Sequence, residues 1–95
     1  MIKIVAKMLV REGEVEHFKE IAKELVQKSS AEEGNISYTL NASISDPRVL
    51  TYIEFWKDQA AIEAHNASEH FRRIVPLTQA LCEDASVDLY TELDL

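Results

Sequence analysis

Eight side chains in the middle of this chain are of the types that chemistry uses: Asn35, Tyr38, Tyr52, Glu54, Trp56, His65, His70 and Phe71. Gathered between a sheet and its helices, they would supply proton acceptors, hydrogen-bond donors and aromatic walls. Each also has a plain reading. A histidine near a helix end commonly caps it or faces water, and aromatic residues commonly fill cores because they bury a large area. Glu54 is harder to explain that way. A carboxylate between Tyr52 and Trp56 in a predicted central strand needs a partner, because an unpaired buried charge is costly. Its plain reading is a hydrogen bond or an ion pair across a dimer. His17 falls on the charged side of a predicted helix and is expected in solvent, and Cys82 in the core.

The cofactor signatures are missing. Only Gly13 and Gly34 are present, so neither a dinucleotide fingerprint nor a phosphate-binding glycine loop can be written on the chain. No organic cofactor is expected. His65 and His70 are five apart, about 140° around a continuous helix at ~3.6 residues per turn, and share a face only if the helix breaks at Asn66-Ala67-Ser68. Zinc usually takes three or four protein ligands, so no metal site is expected either. Cys82 alone can make neither an internal disulfide nor a thiolate cluster.

Ten Lys+Arg against seventeen Asp+Glu give a net charge of -7, which repels nucleic acid and anionic membrane surfaces. No apolar run approaches the ~20 residues that cross a bilayer. Lys3 and Lys7 interrupt the apolar residues of Met1–Arg11, unlike a signal peptide. A cytoplasmic protein is the expectation.

The elements that must position these residues follow from periodicity. The 95 residues are expected to make a single domain, 1–95. Met1–Arg11 alternates with a period of two and predicts a strand. From Glu14 to about Ser30, Val15, Phe18, Ile21, Ala22, Leu25 and Val26 recur every three or four positions, predicting an amphipathic helix that Gly34 stops through a left-handed turn. Asn35–Ser43 returns to period two, with Ile36, Tyr38, Leu40 and Ala42 sharing a face, and Asp46-Pro47 turns the chain into a third strand, Arg48–Trp56. Asp58 caps a short helix, Gln59–His65. Ser68 caps another that carries Phe71, Ile74, Val75, Leu77 and Leu81 inward, kinked or restarted at Pro76. Ala85–Leu93 closes the chain as a strand with Val87, Leu89, Thr91 and Leu93 together.

This order predicts an α+β, ferredoxin-like βαββαβ fold: a four-stranded antiparallel sheet with helices on one face. The other face is also apolar. Val5 and Leu9 lie there, and the third strand offers Val49, Thr51, Ile53 and Phe55 against Leu50, Tyr52 and Trp56. Helices can bury only one set, so a homodimer by sheet-to-sheet packing is expected.

The run Glu33-Gly34-Asn35-Ile36-Ser37-Tyr38, then Tyr52-Ile53-Glu54-Phe55-Trp56-Lys57-Asp58, then His65 and His70-Phe71, resembles the antibiotic biosynthesis monooxygenase superfamily of small dimeric α+β-barrel proteins, and within it the quinol-monooxygenase-like members. The resemblance covers nearly the whole chain. It implies a monooxygenase without metal, flavin or haem, acting on hydroquinones or polyketide phenols. A phenol deprotonated in a dry pocket can itself reduce O₂, so the protein need supply only a base, hydrogen-bond donors and an apolar cavity. On this resemblance His65 is the base or proton shuttle, His70, Asn35 and Tyr52 orient substrate oxygens, and Tyr38, Glu54, Trp56 and Phe71 complete the substrate site. A haem-degrading branch is disfavoured, since the first strand lacks its asparagine and its axial histidine position falls near Val75. The alternatives are an isomerase of a small phosphorylated carbonyl compound, with Arg72 and Arg73 holding the phosphate, and a non-catalytic ligand-binding dimer.

Overall fold

Alternating apolar side chains at Ile2, Ile4, Ala6, Met8 and Val10 form β1 (Ile2–Val10) in the computed structural model, which describes Met1–Leu95. Then follow α1 (Val15–Ser30), β2 (Asn35–Ala42), β3 (Val49–Trp56), α2 (Gln59–Asn66), α3 (Glu69–Gln79) and β4 (Cys82–Thr91). Every strand pair is antiparallel, in the order β2-β3-β1-β4. This is the ferredoxin-like βαββαβ layout, with the second helical region divided in two.

Register decides which side chains meet the helices. Ile4 lies opposite Glu54, Ala6 opposite Tyr52 and Met8 opposite Leu50, so a period of two puts all six on one face. Phe18, Ala22, Leu25 and Ser29 of α1 and Ile74 and Thr78 of α3 are buried beside them. Trp56, Phe18, Leu25, Leu50 and Ile74 are fully enclosed. The cap residues behave as their types demand. Asp58 accepts a hydrogen bond from the Ala61 N–H at 2.9 Å and Ser68 from the Phe71 N–H at 3.2 Å, so α2 and α3 each begin on a satisfied turn. Asp46 likewise accepts from the Arg48 N–H at 3.0 Å.

Several expectations are corrected. Gly34 is not in the left-handed region; only Gly13, φ 85°, is. Instead Gly34 passes under α2 so closely that a Cβ there would lie 2.2 Å from the Ala61 Cβ. Ile36 does not share the face of Tyr38. The register slips between Asn35, opposite Trp56, and Ser37, opposite Phe55, so Ile36 is the extra residue of a β-bulge and is 56% exposed. Ala42 is exposed as well. α3 continues through Pro76 rather than restarting there, and the proline ring has no N–H to donate to the Arg72 carbonyl one turn back. Leu77 points outward, because Ile74 and Thr78 take the inward positions. β4 begins three residues early, at Cys82, which is half-buried against the core rather than inside it.

The second face is as the period requires. Lys3 lies opposite Phe55 and Val5 opposite Ile53, and the Lys3 Nζ sits 5.2 Å from the Phe55 ring centroid. No element of the chain covers this face. No helix is long and apolar enough to cross a membrane.

Candidate active site

Between the helix-facing side of the sheet and the α2–α3 corner lies a cavity of about 320 Å³. β1 gives it Ile4, Ala6 and Met8, β2 gives Tyr38, β3 gives Tyr52 and Glu54, and the helices give Ile62, His65, Phe71 and Val75. Val87 and Leu89 of edge strand β4 flank its mouth and are 62% and 50% exposed. The lining is apolar with a few convergent polar groups, the usual character of a small-molecule site.

Glu54 faces the helices, not the open side of the sheet. It stands two residues before Trp56 on the same strand, so both side chains point inward, and the Trp56 Nε1–H donates to its Oε1 at 2.9 Å. Burial pushes its carboxyl up to about 7; the Trp56 hydrogen bond opposes that rise and the charge of Glu32 adds to it. Tyr38 and Tyr52 are buried beside it, their rings 5.4 Å apart. Burial, reinforced by Glu54, raises both phenols well above their ordinary value, so they remain O–H donors. The Tyr52 hydroxyl has no hydrogen-bond partner within the protein.

His65 is 1% exposed and boxed in by aromatic rings: Trp56 at 4.5 Å, Phe71 at 5.0 Å and Tyr38 at 5.5 Å between centroids. Burial holds it below the ordinary imidazole range, partly offset by a hydrogen bond from its Nδ1 to Glu32 Oε2 at 2.6 Å. The ring is therefore neutral near pH 7, with Nε2 free of any protein partner.

Tyr38, Tyr52, Glu54, His65 and Phe71 thus come together around one space. The other three expected residues do not line it. Trp56 is wholly buried behind His65 and Glu54. Asn35 spends its amide on the Ser37 and Phe55 carbonyls, at 3.1 and 3.4 Å, where it braces the β2 bulge. His70 turns instead to Glu32 Oε2, with its Nε2 at 3.0 Å. The helix does break between α2 and α3, which meets the condition for the two histidines to share a side, and their centroids are 6.1 Å apart.

Glu32 was not singled out in the sequence, where it is one of two adjacent acids in a connection. The only signal was chemical: buried imidazoles usually rest on a carboxylate. Glu32, His65 and His70 bring one ligand atom each within 4.8 Å of one another, a donor set suited to a divalent cation. Both ring N–H groups already aim at a single carboxylate oxygen, so hydrogen bonds satisfy the cluster without an ion. Arg73 is occupied too, held by Glu24 of α1 and Glu69, which leaves it no free fork for a substrate phosphate.

Comparisons place this geometry. The chain is 39% identical over 75 residues, 79% of each protein, to the Bacillus subtilis (strain 168) protein named "Putative monooxygenase YcnE". A crystal structure described as an antibiotic biosynthesis monooxygenase superposes with a TM-score of 0.94 at 33% identity, covering 99% of this chain and 100% of that one. A conserved protein from Methanosarcina mazei Go1 matches with a TM-score of 0.94 at 31% identity, over 97% and 92%. The sequence model for antibiotic biosynthesis monooxygenases matches residues 1–77, which include every cavity residue named above except Val87 and Leu89 of β4, and on that match the chain belongs to the antibiotic biosynthesis monooxygenase family.

Proposed function

We propose that this protein is a cofactor-independent monooxygenase that oxidises quinols or other phenolic aromatics with O₂. The observation that carries the reading is the cavity's polar content: a buried Tyr52 hydroxyl without a partner and an uncommitted His65 Nε2, inside an apolar space sized for a small aromatic ring. An unpaired buried hydroxyl is costly, and a substrate oxygen would satisfy it.

His65 Nε2 takes the phenolic proton, and Tyr52 donates to the resulting oxyanion. The phenolate passes an electron to O₂, and the radical pair joins at a ring carbon bearing hydrogen. Loss of water then leaves a quinone carbonyl. One oxygen atom enters the substrate and the other leaves as water, and the substrate supplies all four electrons, so no external reductant is needed. Phe71, Ile62 and Val75 keep the site dry. A second copy of the chain on the open sheet face completes the proposed assembly.

An oxygen electrode tests this. Protein with a reduced naphthoquinol should consume O₂ at least tenfold faster than buffer, and His65→Ala should lose that excess. Buffer-level uptake by the wild type would end the proposal. Glu54 favours a second reading: a carboxyl held near 7 could remove a proton beside a carbonyl, as an isomerase requires. That reading expects turnover under nitrogen. If a bound aromatic is recovered unchanged by mass spectrometry in both gases, the protein is a binder instead.

A further inference from the structure

Glu32 reaches its two partners across long stretches of chain. It sits in the connection between α1 and β2, while His65 lies in the last turn of α2 and His70 in the first turn of α3. Ser68 makes the corner: its hydroxyl donates to the His65 carbonyl at 2.7 Å and accepts from the Phe71 N–H. One carboxylate oxygen, Glu32 Oε2, then stands 2.6 Å from His65 Nδ1 and 3.0 Å from His70 Nε2. A carboxylate can only accept, so both nitrogens carry hydrogen. For a neutral His65 this leaves Nε2 as a lone-pair acceptor. Side-chain exposure is 2% at His65, 17% at Glu32 and 14% at His70, so the contact is shielded from water.

We infer that Glu32 and His70 are positioning residues for His65: Glu32 fixes the Nδ1–H tautomer that leaves Nε2 free as an acceptor, and His70 fixes Glu32. The inference rests on the reading of His65 as the base. A free imidazole prefers its hydrogen on Nε2, and a ring in that form would be a donor, unable to take a phenolic proton. Once Nε2 is protonated the ring is a cation, and the Glu32 carboxylate offsets its charge. His70 supplies the second donor that keeps Oε2 from swinging to water. Neither residue lines the cavity, so both act through His65.

Long-range ¹H–¹⁵N spectra of the imidazole rings at about pH 8 read the tautomer directly, with His17→Gln, His65→Gln and His70→Gln assigning the signals. The wild type should show His65 as Nδ1–H. Glu32→Gln, whose amide oxygen still accepts, should keep that form, whereas Glu32→Leu should move it mainly to Nε2–H. In oxygen uptake, kcat should fall about 100-fold in Glu32→Leu and about 10-fold in Glu32→Gln, with KM within about threefold of wild type. Wild-type His65 in the Nε2–H form overturns the inference, and reading it needs no Glu32 variant to fold. An unchanged tautomer and kcat in folded Glu32→Leu also overturns it, as does a tight one-to-one zinc complex that displaces the Nδ1 hydrogen. If the tautomer behaves as expected while the wild type consumes no O₂, the oxygenase reading fails and the positioning role stands.

Discussion

At the scale of the residue, burial is what turns ordinary side chains into a site. Glu54 is 5% exposed and takes a single hydrogen bond from Trp56, so desolvation dominates and its carboxyl rises from 4.5 to about 7. Between those values the unfolded chain releases a proton that the folded chain keeps. Stability therefore falls as pH rises through that window, and the loss persists above it, amounting to about 3 kcal/mol at ~1.4 kcal/mol per pH unit. Glu54→Gln should remove this cost. Denaturant unfolding at about pH 4 and about pH 8 should show the variant gaining roughly 3 kcal/mol on the wild type across the interval; a constant gap would refute it. His65 acts in the opposite direction. Its folded pKa lies below 6.5, so as pH falls through 6.5 the unfolded ring protonates first and stability drops. His65→Gln should flatten that acid-side slope.

At the scale of the element, one close approach and one corner place the histidines. Gly34 lets α2 settle onto the start of β2, and a methyl group there would meet the Ala61 Cβ at 2.2 Å. Gly34→Ala should cost about 1–3 kcal/mol by overpacking. Combining it with Ala61→Gly should recover at least about 1 kcal/mol of that loss in a double-mutant cycle, whereas simple additivity would mean the clash relaxes elsewhere. Ser68 holds the α2–α3 corner from both sides. Ser68→Ala should lose about 1 kcal/mol of cap energy and should also broaden the His70 ring signals, since the corner no longer fixes its approach to Glu32.

At the scale of the molecule, the sheet has one face packed and one bare. Val5, Leu9, Ile53 and Phe55 form an apolar strip with no covering element, flanked by Lys3 and Lys7. Burying such a strip against a second copy would remove it from water without burying most of the net charge of -7. Sedimentation at micromolar concentration should give a dimer, and Ile53→Asp should give a folded monomer. A monomeric wild type would dispose of the sheet-to-sheet assembly.

How much of this was legible follows from the range of each interaction. The strands, α1 and the Asp58 and Ser68 caps were readable because period and capping act within a few residues. Tyr38, Tyr52, Glu54, His65 and Phe71 could be nominated because their types stand out on predicted elements beside the helices. The β2 bulge escaped notice since it reverses Ile36 and leaves no mark on composition. The sequence by itself determined the layout and the inward-facing residues of β1 and α1, since local sterics and hydrophobic period decide both, but not the face of Glu54 nor the outward turn of Ile36, Ala42 and Leu77. Only the tertiary structure decided that His70 and Asn35 leave the cavity, that Gly34 is a contact rather than a stop, and that Glu32 joins two histidines. Glu32 and Gly34 meet partners more than 25 residues away and Asn35 one 20 residues away, approaches between segments that no spacing along the chain encodes.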